Sequence, residues 1–321
     1  RHQDAVASYR GALESAPDCA DAMAGLAAAF LLTGRVEEAL SWCRSALALD
    51  PDHLEARYRM AAALGARGEF AQALSILEAV IARAPHHADV ITESGIALLG
   101  LGRFPEAEQR FRQAVALNAE SAEVYCNLAR ALLSQDRPAE AIACCRQALA
   151  LQPDDPEATQ VMGVILFRQQ RVEEAIACHE KVLALKPDHA QAHYSLGIAR
   201  YAQGRVRDGM DSFEKALQLK PYYVEARHNH ALGLLSIGDL ERGWEGYEFR
   251  FRQFSRDELG MLLPFSYPEW RGEPLAGKSI LVTAEQGVGD QLMFSSMYQE
   301  VAAAAEKCVI ECAAKLVPLL A

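Results

Sequence analysis

Apolar residues recur at helical spacing in two short runs between Ala20 and His53: Met23, Leu26, Ala27 and Phe30 in the first, then Ala39, Leu40, Cys43, Ala46 and Leu47 in the second. Each run makes one apolar stripe and predicts an amphipathic helix. Gly34 falls where the first helix must stop and reverse, a place for a residue free to take positive φ, and Pro51 ends the second. Two such helices cannot enclose a core, so the unit needs neighbours. Sliding forward by 34 residues supplies them, landing on Pro85, Ala119, Pro153, Pro187 and Pro221, and sliding back lands on Pro17. Only Ala119 breaks the series.

Residues 1–19 read as a second helix alone, with Ala5, Tyr9 and Ala12 at the phases of Ala39, Cys43 and Ala46. Full repeats start at Ala20, Leu54, Ala88, Ala122, Pro156 and Ala190, and a more divergent one at Val224. At the phase of Ala39 the chain reads Ala73, Ala107, Ala141, Ala175, Gly209 and Gly243; at that of Ala27 it reads Ala61, Gly95, Ala129, Gly163, Gly197 and Ala231. Small side chains repeated at two phases predict close helix crossings.

These coincident phases resemble the tetratricopeptide repeat, and the resemblance covers residues 1 to about 257. It implies a mainly α fold, a right-handed superhelix or α-solenoid whose first helices line a concave groove for a protein or peptide. The chain departs from the pattern at Asp136 and Gln170, where the turn glycine is expected, and at Ala119. Gln170 must either adopt positive φ, at a cost of about 1 kcal/mol, or shift its turn. Without proline at Ala119 the helix before it is expected to end less sharply.

Acids recur early in the first helices, at Asp21, Glu55, Asp89, Glu123, Glu157 and Glu225. They complement the positive ends of the helices, and they also form a ladder that could grip a basic peptide. One groove-facing column holds Asn127 and Asn229, with Gly25, Arg59, Glu93, Val161 and Ser195 at its other phases. Protein O-GlcNAc transferases are similar in architecture and use an asparagine column there to hold substrate backbone. The groove candidates are therefore Asp21, Glu55, Asp89, Glu123, Asn127, Glu157 and Asn229.

A net charge of −11 changes the partner list, since nucleic-acid binding rests on a basic face, and none is expected here. The eight cysteines form no CxxC pair. Cys43 and Cys145 share a repeat phase, as small buried hydrophobes do, and free thiols suggest a reducing, cytoplasmic setting. His189 and His193, and His228 and His230, lack a third ligand near in sequence, so no metal or cofactor is expected. No apolar run reaches membrane-spanning length, and no membrane association is expected. Arg1 opens the chain with a helix already under way, so an array beginning earlier is expected.

From Leu240 the character changes. Trp244, Tyr247, Phe249 and Phe251 are followed by Phe254, Phe265, Tyr267 and Trp270 through a connector at residues 258–277. Such a concentration predicts a seam, with Trp244, Tyr247, Phe251 and Trp270 buried against a second domain. Residues 278–321 read as the start of an α/β Rossmann-like domain: a strand at 278–284, a glycine loop, a helix over 291–305, a strand at 308–312 and a further helix from 315.

The loop Gln286, Gly287, Val288, Gly289, Asp290, with flanks from Trp270 to Lys278, resembles the junction of repeats and catalytic domain in bacterial tetratricopeptide glycosyltransferase-like proteins. Its Gly289-Asp290 pair is also similar to the first loop of heptosyltransferase-type enzymes of the two-Rossmann class. The resemblance implies Asp290 as general base, Gln286, Gly287 and Gly289 as a phosphate or acceptor loop, and a nucleotide sugar as donor. A capping role for Asp290 stands beside it. Two strands are fewer than a parallel sheet needs, so the chain is expected to be catalytically incomplete by itself. The alternative is a non-catalytic scaffold for protein interaction.

Overall fold

The structure is a computed structural model that describes residues 2–117, 121–247, 273–282 and 298–310. The chain divides into a unit from Arg1 to Lys220 and a unit from Pro221 to Ala321.

The first unit is a stack of helix pairs. After α1 (His2–Ser15) come α2 (Ala20–Leu32) with α3 (Val36–Leu49), α4 (Leu54–Ala66) with α5 (Phe70–Arg83), and α6 (Ala88–Gly100) with α7 (Phe104–Ala116). Then follow α8 (Ala122–Ser134) with α9 (Pro138–Leu151), α10 (Pro156–Arg168) with α11 (Val172–Leu185), and α12 (Ala190–Ala202) with α13 (Val206–Leu219). Every first helix begins at the residue that the 34-residue phase dictates. This unit is a mainly helical solenoid.

Within each pair the reversal uses one device. The amide of Arg35 reaches the carbonyl of Phe30 at 2.9 Å and that of Gly34 reaches Leu31 at 3.0 Å, the doubly bonded helix stop that needs a left-handed residue between. The same pair of bonds recurs at Asp136 and Gln170, which take φ of 57° and 63° in place of glycine. Gln170 thus accepts the strained conformation and the turn does not shift. The expectation at Ala119 fails: α7 stops at Ala116, earlier in phase than the ends at Leu49, Arg83 and Leu151. The Leu117 amide already closes that end onto Gln113 and Ala114, so a missing proline does not by itself prolong a helix. Ala119 lies outside the described residues.

The core is set by volume matching between the two helices of a pair. Cys43, Leu77, Phe111, Cys145, His179 and Phe213 occupy one phase, and Phe111, His179 and Phe213 lie under Gly95, Gly163 and Gly197. A Cβ on any of these glycines would meet the ring at 2.5–2.6 Å. Where the partner is Cys43, Leu77 or Cys145 the facing residue is alanine, at Ala27, Ala61 and Ala129, each at most 1% exposed. Successive first helices also touch one another, α2 with α4, α4 with α6, α6 with α8, α8 with α10 and α10 with α12. On the other side a groove of about 390 Å³ opens between α3 and α5 over Arg57 and Met60. At these two repeats the first helices touch while the second helices leave a gap.

The second unit contains α14 (Val224–Ser236), α15 (Leu240–Tyr247), β1 (Ser279–Val282), α16 (Tyr298–Ala304) and β2 (Lys307–Ile310). β1 and β2 pair in parallel, with Leu281 opposite Val309. Among the described residues the α/β part is these two strands and α16, so a Rossmann-like domain is not shown. The aromatic seam is corrected at Trp244, which is 48% exposed and rests edge-on against Tyr247 at 5.6 Å, with Tyr247 stacked on His228. The i,i+3 spacing of Trp244 and Tyr247 lets the two rings cover each other on one helix face. Phe249, Phe251, Phe254, Phe265, Tyr267 and Trp270 lie outside the described residues.

Candidate functional site: the face of the first helices

Each expected acid stands on the second residue of a first helix, so the face repeats once per pair. The acids do not share one fate, because the residue before each next helix decides what they meet. His53 precedes α4 and accepts the Ala56 amide on Nδ1 at 3.1 Å, while its Nε2 lies 2.9 Å from Asp21 Oδ1. A ring nitrogen that accepts from an amide has no proton, so Nε2 carries the hydrogen and donates it to Asp21. His189 repeats the arrangement, with the Ala192 amide at 3.1 Å and Glu157 Oε1 at 3.1 Å. Asp21 and Glu157 are therefore ties between consecutive first helices. His193 Nε2 bonds the Pro187 carbonyl, which leaves the His189 and His193 pair committed to backbone and carboxylate.

Glu55 accepts from Arg59 Nε at 2.7 Å, and Arg59 lies over the Tyr58 ring at 4.6 Å from its centre. Asn127, 6% exposed, takes Arg130 on its Oδ1 at 3.2 Å, and Arg130 also reaches Glu157 at 3.1 Å. Asn229 is half-buried and belongs to the second unit, so it is not brought together with the others here. Gln286, Gly287, Gly289 and Asp290 lie outside the described residues.

Asp89 and Glu123 are exposed and have no hydrogen bond or ion pair among the described residues. Between them stands Glu93, which the sequence placed in the column without choosing it. Burial pushes its carboxyl up to about 7; Glu123 and Asp89 push the same way, and Arg59 opposes them. Desolvation and like charge both disfavour the anion, and Arg59, the cation that opposes them, is already held by Glu55. The face at α4, α6 and α8 is thus an acid-lined surface with one carboxyl poised to ionise.

A second feature that sequence reasoning passed over lies at α10 to α12. His179 Nδ1 is 2.9 Å from Gln160 Oε1, and Gln160 Nε2 is 2.9 Å from Ser195 Oγ. Its signal was His179 at the otherwise apolar phase of Leu77 and Phe111, whereas Gln160 stands at a phase that Thr92 and His228 share and gave none. The thiols carry no comparable chemistry: burial pushes Cys43 up to about 12 and Cys126 up to about 11, so both stay protonated. Among the described residues no helix is long and apolar enough to cross a membrane.

Comparison with known proteins agrees with the geometry. Tetratricopeptide repeat models match residues 1–53 and 92–156, and residues 38–92, and a TPR repeat model matches residues 163–204. Protein FlbA of Caulobacter vibrioides is 39% identical over 59 residues, 18% of this chain and 10% of its own length. A chain of the APC/C hetero-tetramer Cut9-Hcn1 superposes with a TM-score of 0.67 at 15% identity over 73% of this chain and 46% of its own. A tetratricopeptide repeat protein of Parabacteroides merdae does so at 0.60 and 19% identity, over 73% of this chain and 92% of its own. The chain thus spans less than half the length of the first two, and the structural likenesses show the fold. With the helix-pair period, the turn device and the small-residue crossings all in place, the chain belongs to the tetratricopeptide repeat proteins.

Proposed function

We propose that the chain is a protein-interaction module that holds an extended basic peptide along its first helices. The observation that carries the reading is Glu93, which stands between exposed Asp89 and Glu123 and is pushed up to about 7 by burial and by those two acids, while Arg59, which opposes them, is bonded to Glu55. A lysine or arginine placed there would relieve the repulsion and ionise Glu93 in one step. Asp89 and Glu123 extend the same field on either side, while Asp21 and Glu157, already engaged between consecutive first helices, fix the spacing of the face, and Glu55 is held within its own helix by Arg59. The chain of the same fold in the Cut9-Hcn1 hetero-tetramer was itself solved within a protein assembly.

Titration calorimetry at pH 7 with lysine- and arginine-rich peptides, in buffers of different protonation enthalpy, tests this. Binding is expected to release a fraction of a proton, to weaken as salt rises, and to lose the release in Glu93→Gln. Absence of binding by any basic peptide, or proton release that persists in Glu93→Gln, would refute the assignment.

The parallel pairing of β1 and β2 favours a second, wider reading, since parallel neighbours require a crossover connection of the kind that α/β domains use. In it the recruited protein is presented to a glycosyltransferase-like domain that uses a nucleotide sugar, with Asp290 as base and Gln286, Gly287 and Gly289 near the phosphates. Donor hydrolysis by the protein, compared with its Asp290→Asn variant, checks it; equal rates in the two would remove Asp290 from the chemistry.

A further inference from the structure

We infer that Ser195 is an oriented hydrogen-bond donor on the peptide-binding face, aimed by Gln160 and His179, and that it takes a carbonyl oxygen of the bound peptide. The inference rests on the peptide-binding reading above and adds what a second part of the ligand must offer.

Direction follows from the donor inventory. Gln160 presents its Oε1 to His179 Nδ1 at 2.9 Å, and a carbonyl oxygen can only accept, so Nδ1 carries the ring proton. The other end of the same amide, Nε2, donates to Ser195 Oγ at 2.9 Å. Ser195 thereby spends a lone pair on Gln160 and turns its own hydrogen away from the core. That hydrogen meets no acceptor among the described residues. Ser195 is half-buried and stands at the phase of Glu93 and Asn127, on the face already described.

Packing alone does not ask for these groups. His179 is 1% exposed and Gln160 4%, and the slot they fill is used elsewhere by ring contacts, as between Tyr194 and Phe213 at 5.9 Å. The His179 ring lies under Gly163 as Phe111 lies under Gly95 and Phe213 under Gly197, so a phenyl ring has the right shape. Burying an amide and an imidazole costs free energy unless both are bonded. What their bonds accomplish beyond mutual satisfaction is to set the rotor of Ser195. Burial also pushes His179 down to about 4, so the ring is neutral, and the relay unchanged, at neutral pH.

Two measurements on the whole chain test the inference. Nitrogen-15 NMR of the imidazole is expected to show His179 protonated at Nδ1; the Nε2-protonated form would reverse the relay, make Ser195 an acceptor and overturn the inference. Peptides selected from a random display library then serve as the probe. Ser195→Ala is expected to weaken the selected peptide about threefold to tenfold, Ser195→Thr to preserve binding, and the Ser195→Ala effect to vanish in a His179→Phe background. Gln160→Met, close in shape, repeats the background test without touching the ring. A selected peptide indifferent to Ser195→Ala overturns the donor role alone, and failure of the library to yield any binder overturns the peptide-binding reading with it.

Discussion

Gly95, Gly163 and Gly197 are compensations for the rings beneath them, since an added Cβ would come within 2.6 Å of Phe111, His179 or Phe213. Gly163→Ala is therefore expected to destabilise by about 1–3 kcal/mol, read from denaturant midpoints. Pairing it with His179→Leu, which copies Ala61 over Leu77, should recover most of the loss; a double variant no better than the single would show that volume is not the issue. His179 itself links stability to pH. Its folded pKa, pushed down by burial to about 4, lies below the 6.5 of a free imidazole, so protonation favours the unfolded chain. The wild type is expected to lose roughly 3 kcal/mol as pH falls from 6.5 to 4, relative to His179→Phe measured alongside. Parallel curves for the two proteins would contradict the buried neutral ring.

At the scale of the element, the turns separate what the repeat requires from what it tolerates. Glycine supplies the left-handed position at Gly34, with φ of 73°, without strain, whereas Gln170 holds φ of 63°. Gln170→Gly should raise stability by about 1 kcal/mol, and Asp136→Gly by less, because a short polar side chain enters that region more readily. A melting temperature unchanged or lowered by Gln170→Gly would remove the argument. The second helices show a matching economy at their start. Arginine stands before α3, α7, α9, α11 and α13, an unfavourable end for a cation, and each is bonded to an acid three residues on, as Arg103 to Glu106 at 2.6 Å. Before α15 the charges are exchanged, Asp239 holding Arg242. Before α5 the bracket is absent, since Glu69 has Gln72 three residues on and pairs with Arg67 instead.

Across the first unit, the main cluster of buried apolar side chains runs from Leu26 to Ile165, with two small alanine-rich clusters around Ala46 and Ala148 beside it, while Ile176, Leu196 and Ala199 form another beyond it. The Gln160 and His179 pair lies at this break. Because a repeat array is stabilised by nearest-neighbour interfaces, a polar interface is where cooperativity should fail first. Hydrogen exchange is expected to show α12 and α13 opening at lower free energy than α6 to α10. Replacing the pair by the one that α12 and α13 use, Gln160→Tyr with His179→Phe, should narrow the gap. Uniform protection along the wild-type array would disprove a boundary there.

The sequence by itself determined the helix starts, the 34-residue period, the small-residue crossings and the positions that would need a left-handed turn. All of these arise from bonds and contacts between residues close in the chain, whose spacing is fixed by helix geometry. Tertiary structure alone decided which polar groups meet between repeats. Asp21 and Glu157 looked like free rungs until His53 and His189 were seen to reach back to them, and Glu93 looked ordinary until Glu123 and Asp89 were placed beside it. His179 was one more residue at an apolar phase until Gln160 joined it to Ser195. Such meetings depend on how far each helix pair is rotated and staggered on the last, a sum of packing contacts distant in sequence, and no spacing along the chain encodes that sum.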